Sequence, residues 1–349
     1  MKGGSYSGPI SDHFDGKRFF NPGQPSTDRS VGEMWRWKLA GVAVPWPKKI
    51  EVKPALPIPR SERLRITMVG HATLLIQVSG LNILTDPVWS DRASPLSFAG
   101  PERVTIPGIA FDDLPAIDLV LVSHNHYDHL DIPTLRRLHA VYRPRLITPI
   151  GNDLILRASI PEAEVVTGDW GDRIAAGAAA AITLTRANHW SRRRLTDRRM
   201  ALWSGFLIET RRATIWFAGD TGYGDGSIFR DLRTRHGPPD VALIPIGAYE
   251  PRWFMAAQHV NPKEAVRVFQ DTGARRALGI HWGTFKLTDE GRDAPKEELL
   301  AALSHAGIDA ARFVAAEPGH VFDFEDADPT PASDEEQRSG AAPIADCGR

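Results

Sequence analysis

Within the nine residues 123–131, Ser-His-Asn-His-Tyr-Asp-His-Leu-Asp, the chain gathers three imidazoles and a carboxylate between His124 and His129. Neutral imidazole nitrogens and carboxylate oxygens are donors that suit a divalent metal ion. Alternate side chains of an extended segment share a face, so His124 and His126 point the same way. Asp128 and His129 follow after a bend and can face a second ion. Two adjacent metals are the reading this spacing favours. The alternative, a polar loop with scattered surface histidines, needs four competent ligands to meet in one turn by chance.

A loop this short closes neither coordination sphere, so further ligands must come from elsewhere. Three candidates stand just past apolar, strand-like runs: His189 after residues 181–185, Asp220 after 213–219 and His281 after 277–280. One histidine beyond a strand is most often structural. The recurrence of a ligand type at three strand ends carries the argument. The central loop has the same setting, because residues 118–122 form an apolar run that reads as a buried strand.

The surrounding elements supply a frame. Strand patterns cover residues 64–69, 73–78 and 81–85, with a hairpin turn around Gly80. A helix is expected over 132–142, a strand over 145–148 stopped by Pro149, a short helix over 153–158 and a strand over 164–167. Later come a strand within 238–246, a helix from Pro262 to about Asp271 capped by Asn261, a helix over 295–306 and a last strand at 312–314. Asp86, just past the third strand, either hydrogen-bonds a metal-bound imidazole and sets its tautomer or caps a turn. His71 sits near the same edge as a supporting or structural residue. Residues 247–254 combine a glycine, a proline and three aromatics after a strand, which suggests an ordered cover over a pocket.

The chain has 349 residues, 42% hydrophobic and 24% charged, enough for a large core or two smaller ones. A net charge of -1 argues against a nucleic-acid partner. The single cysteine, Cys347, leaves no disulfide framework within the chain and points to a reducing compartment. Residues 1–19 lack the apolar core of a secretory signal, so a cytoplasmic protein is expected. Residues 1–62 read as an N-terminal arm, 63–325 as the folded domain, and 326–349 as a disordered tail poor in large apolar residues.

Three stretches keep two readings each or carry no chemistry. Residues 11–22 form an arm packed on the domain, with His13 structural. Residues 34–49 hold three of the ten tryptophans and four basic residues without an acid. They either bury their indoles against the core or lie peripherally on the inner face of an anionic membrane. Residues 191–200, with five arginines, are a solvated hairpin tip or a contact for a phosphate or an anionic membrane.

The pattern His-x-His-x-Asp-His, then His189, then Gly-Asp-Thr-Gly at 219–222 and a final His281, resembles the metallo-β-lactamase superfamily. More specifically, Thr85-Asp86-Pro87, residues 123–131, His189-Trp190, 217–223, IGAYEPRWFM at 246–255, QHVNPKEA at 258–265 and IHWGTF at 280–285 resemble the N-acylphosphatidylethanolamine-hydrolysing phospholipase D family. The similarity runs from about Leu64 to Phe285. It departs from the animal members at Ala256 and Ala257, which are small, and at Ser191, where they carry a cysteine.

The resemblance implies an α/β fold, the αββα sandwich of two mixed sheets with helices on both outer faces. With it the ligands sort into His124, His126 and His189 for one metal, Asp128, His129 and His281 for the other, and Asp220 as a bridge. Two Zn2+ ions are the implied cofactors, although iron or manganese suits similar donors. Five neutral imidazoles, two carboxylates, a bridging hydroxide and two divalent ions leave a formal charge of about +1, which balances a phosphodiester. Asp128, Asp220 and His259 are the implied catalytic residues, and Tyr127 and His259 fall where the family binds the substrate phosphate. The implied reaction releases phosphatidic acid and N-acylethanolamine from a phospholipid, and a homodimer is the implied assembly. The competing readings are a hydrolase of a soluble sugar-phosphate lactone or other phosphoester, and a non-catalytic metal-binding protein.

Overall fold

Strands buried at nearly every position need cover on both faces, and this chain builds many of them. In the computed structural model, which describes residues 6–324 apart from 42 and 178, helix α1 (Val31–Ala40) precedes the first sheet. That sheet and its helices follow as β1 (Arg65–Gly70), β2 (Thr73–Val78), β3 (Leu81–Thr85), β4 (Leu119–Leu121), α2 (Ile132–Tyr142), β5 (Arg145–Pro149), α3 (Asp153–Ser159) and β6 (Val165–Gly168). The second half begins with β7 (Arg173–Ala176), β8 (Ala180–Thr185), β9 (Gly205–Thr210), β10 (Thr214–Phe217), α4 (Ser227–His236) and β11 (Val241–Pro245). It continues with α5 (Arg252–Met255), α6 (Pro262–Thr272), β12 (Arg276–Ile280), α7 (Ala294–His305), β13 (Phe313–Ala315) and β14 (Val321–Asp323). The tail expected to be disordered, 326–349, lies outside the described residues.

The strands form two seven-stranded sheets, ordered β14-β1-β2-β3-β4-β5-β6 and β13-β12-β11-β10-β9-β8-β7. Each half repeats one plan: antiparallel strands as far as β3 or β10, then parallel strands, reached by a long loop from β3 to β4 and by helical crossovers elsewhere. Between the sheets pack Ile66, Leu74, Ile76, Leu121, Phe206, Ile208, Phe217 and Leu243. On one outer face α2 and α3 cover the first sheet through Leu135, Leu138 and Leu156. On the other, α4, α6 and α7 cover the second through Phe229, Val266, Phe269 and Leu299. This is the expected αββα sandwich. Because β3, β4, β8, β10, β11 and β12 end at one edge, the loops that leave them meet there.

Helix α2 has the bounds read from the sequence, and α6 has its Asn261 cap, reinforced by Glu264 in a capping box. One strand was not expected: beyond the strand read at 312–314 and still within 63–325, β14 returns to pair with β1, and the Arg65–Asp323 ion pair joins them. With two half-buried residues and one exposed, it is too short to carry a strand pattern of its own.

The arm at residues 11–22 packs as expected. Phe14 and Phe19 are buried against Leu202 and Trp203, and His13 Nε2 lies 2.8 Å from Asp169 Oδ1. The tryptophans of 34–49 divide between the two readings. Trp37 donates to Asp289 and Trp46 to the Glu290 carbonyl, whereas Trp35 is 62% exposed. No residue of α1 is buried.

Candidate metal centre

Asp86, delivered by β3, organises the centre from beneath. Its Oδ1 accepts the Ser123 N–H at 2.7 Å, and its Oδ2 accepts the Ser123 hydroxyl at 2.6 Å and His129 Nδ1–H at 2.7 Å. A carboxylate only accepts here, so Nδ1 carries a proton and Nε2 is the nitrogen left to serve as a ligand. The Ser123 hydrogen is committed to Asp86, so Ser123 Oγ accepts from His124 Nδ1 at 2.9 Å and His124 Nε2 is bare. His189 Nδ1 donates to the Gln258 carbonyl at 2.9 Å, which leaves its Nε2 bare too. Asp86 therefore has the imidazole-orienting role rather than that of a turn cap.

These nitrogens converge. His124 Nε2 lies 2.8 Å from His126 Nδ1, and His189 Nε2 lies 3.3 Å from it. On the other side His129 Nε2 and His281 Nε2 stand 3.2 Å apart, each 3.4 Å from Asp128 Oδ2. Asp220 Oδ2 sits among both groups, 3.1 Å from His129, 3.2 Å from His281, 3.6 Å from His189 and 3.8 Å from His124. Its Oδ1 has no hydrogen-bond partner. Nitrogens and carboxylate oxygens this close together need cations among them, protons in the metal-free protein or metal ions that displace them. The donor set thus fits divalent metal ions: His124, His126 and His189 would serve on one side, Asp128, His129 and His281 on the other, with Asp220 within reach of both.

The electrostatics agree. Burial pushes His126 down to about 3 and His189 to about 4, so both imidazoles are neutral. Burial also pushes on His129 and His281, but the carboxylates of Asp220 and Asp128 overcome it, raising His129 and holding His281 at about 9. Without metal, protons stand in for the missing cations. A metal must displace them, so affinity rises as the pH climbs toward about 9 and falls below it. Loading the metal-free protein at pH 7 is expected to release about two protons per chain. Isothermal titration in buffers of different ionisation enthalpy reads that number, and no net release would contradict the arrangement.

Around the ligands, His71 directs Nε2 to Asp128 Oδ2 at 3.0 Å and acts as a support for that carboxylate. His259 Nε2 lies 3.9 Å from Asp220 Oδ2, with Nδ1 free of a hydrogen-bond partner. Tyr127 turns instead to the arginine hairpin, donating to the Arg193 carbonyl at 3.0 Å while the Arg193 guanidinium lies 4.1 Å from its ring centroid. That arginine is no solvated tip residue. Its Nη1 donates to the carbonyls of Asn125 and Leu130 and braces the metal-binding loop, whereas Arg194 stays exposed.

Sequence reading assigned no role to Glu290 or Arg252. Buried Glu290 accepts the backbone N–H groups of Ala248, Tyr249 and Glu250, and so orders the loop expected to cover a pocket. Arg252 donates to the His259 carbonyl at 2.9 Å and to Glu264 at 2.7 Å, fixing the approach to His259. The conspicuous block IGAYEPRWFM was the available signal for Arg252; Glu290 had none.

A family model described as a beta-lactamase superfamily domain matches residues 81–282. The chain is 37% identical over 271 residues to N-acyl-phosphatidylethanolamine-hydrolyzing phospholipase D 1 of Caenorhabditis elegans, covering 74% of this chain and 76% of that protein. It is 36% identical over 247 residues to the mitochondrial N-acyl-phosphatidylethanolamine-hydrolyzing phospholipase D of Saccharomyces cerevisiae, covering 69% and 52% of the two chains. In fold it is similar to a possible metal-dependent hydrolase from Veillonella parvula, with a TM-score of 0.60 at 16% identity over 75% of this chain and 100% of that one. The chain therefore belongs to the metallo-β-lactamase superfamily of metal-dependent hydrolases and, within it, to the N-acylphosphatidylethanolamine-hydrolysing phospholipase D family.

Proposed function

We propose that this chain is a dinuclear zinc phosphodiesterase that hydrolyses N-acylphosphatidylethanolamine-type phospholipids to phosphatidic acid and N-acylethanolamine. The observation that carries the reading is Asp220 Oδ2 lying within 3.8 Å of a nitrogen from each of two ligand groups. His124, His126 and His189 would hold one ion, Asp128, His129 and His281 the other, and Asp220 both. A cysteine-free set of nitrogen and oxygen donors suits zinc. When bound, such a pair supplies a nucleophile from water near neutral pH and absorbs charge on phosphate oxygens.

The protein's own groups do the rest. Asp128 and Asp220 hold the centre near a single positive charge, opposite to that of a phosphodiester. Burial keeps His259 neutral, well below the ordinary histidine value, so it can donate one N–H to a phosphate oxygen without adding charge. Tyr127 is the second phosphate contact, its hydroxyl exchanging the Arg193 carbonyl for a phosphate oxygen. Arg193, stacked on that ring and bonded to the loop backbone, keeps the ring in place.

Access to lipid is assigned to α1. Val31, Trp35 and Leu39, spaced four residues apart, are 72%, 62% and 78% exposed beside Arg36 and Lys38. An exposed apolar stripe flanked by cations suits an anionic membrane surface. No helix among the described residues is long and apolar enough to cross a membrane. Each large side chain that enters the bilayer contributes about 1.5–3 kcal/mol, so the double change Trp35→Ser and Leu39→Ser is expected to lower vesicle turnover on the order of tenfold or more. Turnover of a short-chain monomeric diester should be unchanged; equal loss on both substrates would refute membrane docking.

The function itself is tested with metal-loaded protein and N-acylphosphatidylethanolamine vesicles, following both products by mass. Release of phosphatidic acid and N-acylethanolamine together supports the reading. Two metals per chain with no lipid turnover discards the substrate and leaves soluble phosphoesters or lactones to be tried.

A further inference from the structure

The N-terminal arm touches one ligand group of the centre and leaves the other alone. Asn21 Nδ2 donates to the backbone carbonyl of His189 at 2.9 Å, while Asn21 Oδ1 accepts from Trp203 Nε1 at 3.1 Å. A few residues on, Asp28 pairs with Arg198 and Arg199, and Thr27 accepts from Arg198 through its carbonyl. The Arg198 guanidinium lies 3.7 Å from the Trp190 ring centroid, and Trp190 meets His126 edge to face at 4.5 Å. Two of the three histidines in one group, His189 and His126, are thus braced from outside by residues 21–28.

The other group is braced from within, by Asp86 beneath His129 and His71 beside Asp128. Among the described residues, no hydrogen bond or ring contact joins the arm to Asp128, His129 or His281. Other polar contacts of the arm also fall away from these three residues: Gln24 bonds Asp225, His13 meets Asp169, Arg29 donates to the Phe254 carbonyl, and Trp37 and Trp46 donate to Asp289 and the Glu290 carbonyl.

His189 needs this help more than its neighbours do. His124 and His126 stand in the shorter connection from β4 to α2, residues 122–131, whereas His189 stands in the long connection between β8 and β9, residues 186–204. Ordering a ligand on such a loop costs conformational entropy, and contacts that order it beforehand raise metal affinity. Groups that orient a ligand are worth about 10–100-fold in affinity.

We propose that the arm is a clasp for the three-histidine site alone, with Asn21 and Arg198 as positioning residues, so that loosening it empties that site while the other stays loaded. The proposal rests on the two-metal reading above. The substitution Asn21→Asp keeps the acceptor for Trp203 but removes the donor to His189, and Asn21→Ala removes both.

The test is zinc titration of the full-length metal-free protein against a chromophoric chelator, which yields a dissociation constant for each site. A His189→Gln variant identifies the constant that belongs to the site lacking His189. Both Asn21 variants should weaken the three-histidine site by about 10–100-fold and leave the other constant in place. If the wild type binds fewer than two zinc ions, the dinuclear reading fails before the clasp is tested further, and the clasp falls with it. If the wild type binds two and both Asn21 variants keep both constants, the clasp is overturned. Equal weakening of both sites would mean general support of the fold and would overturn it too. A loss in Asn21→Ala that is absent in Asn21→Asp would remove the donor role from Asn21.

Discussion

Replacing Asp220 with asparagine is expected to remove at least one of the two metals and to lower kcat/KM on the order of 10²–10⁴, the cost of taking one partner from a buried charge cluster, about 3–5 kcal/mol. The side chain keeps its size, so packing changes little. What is lost is the charge that stands between the two ligand groups. Divalent ions about 4 Å apart repel strongly, and a bridging carboxylate offsets that repulsion where no water can. Asp220 is buried and held well below the usual carboxylate range: burial alone would raise it, but His129, His281 and His259 overcome that. Metal content by mass spectrometry and initial rates on vesicles check both halves. A variant with two metals and rates within tenfold of wild type would take the bridging role away from Asp220.

The features that were legible in the sequence share a physical property: their signal is local. Four candidate ligands within six residues need no partner to be noticed, and His189, Asp220 and His281 each come soon after an apolar, strand-like run. Helix α2 was legible to the residue because its buried Thr134, Leu135 and Leu138 face one way. Helix α1 was not, because it buries nothing and so has no apolar face turned to a core, although Ser30 and Glu33 form a capping box. Strand β9 lies in a continuous apolar stretch with no alternation to separate strand from connection. The roles of Asn21 and Glu290 could not be read at all. Asn21 meets His189 across 168 positions and Glu290 meets Ala248 across 42, and neither has a pattern around it.

The repeated plan of the two halves explains why two buried aspartates sit so close to the histidine cluster. Asp86 follows β3 and Asp220 follows β10, the last antiparallel strand of each half. The same topological position yields a carboxylate at the shared edge twice. Asp86 meets His129 at Nδ1, on the outer side of the cluster, and Asp220 meets it at Nε2, on the inner side.

That difference makes Asp86→Asn the more revealing change. The amide oxygen must remain on the Ser123 N–H, since a backbone donor cannot turn away, and the amide NH₂ then faces His129 Nδ1 and Ser123 Oγ. A donor facing a donor is untenable between fully buried groups, so His129 shifts its hydrogen to Nε2. Ser123, now accepting from the amide, turns its own hydrogen to His124 Nδ1, and His124 likewise protonates Nε2. One atom changed beneath the centre thus withdraws a lone pair from each metal. Affinity should fall by about 10–100-fold at both sites, and turnover by on the order of 10³–10⁴, the scale seen when a buried aspartate loses control of a histidine tautomer. The metal-free protein should melt near the wild-type temperature, because the substitution conserves volume and every donor still finds an acceptor. Asp86→Ala, by contrast, leaves three buried donors without partners and should lower stability by about 1–3 kcal/mol for each. Retention of both metals at wild-type affinity in Asp86→Asn would show that the tautomers are set elsewhere.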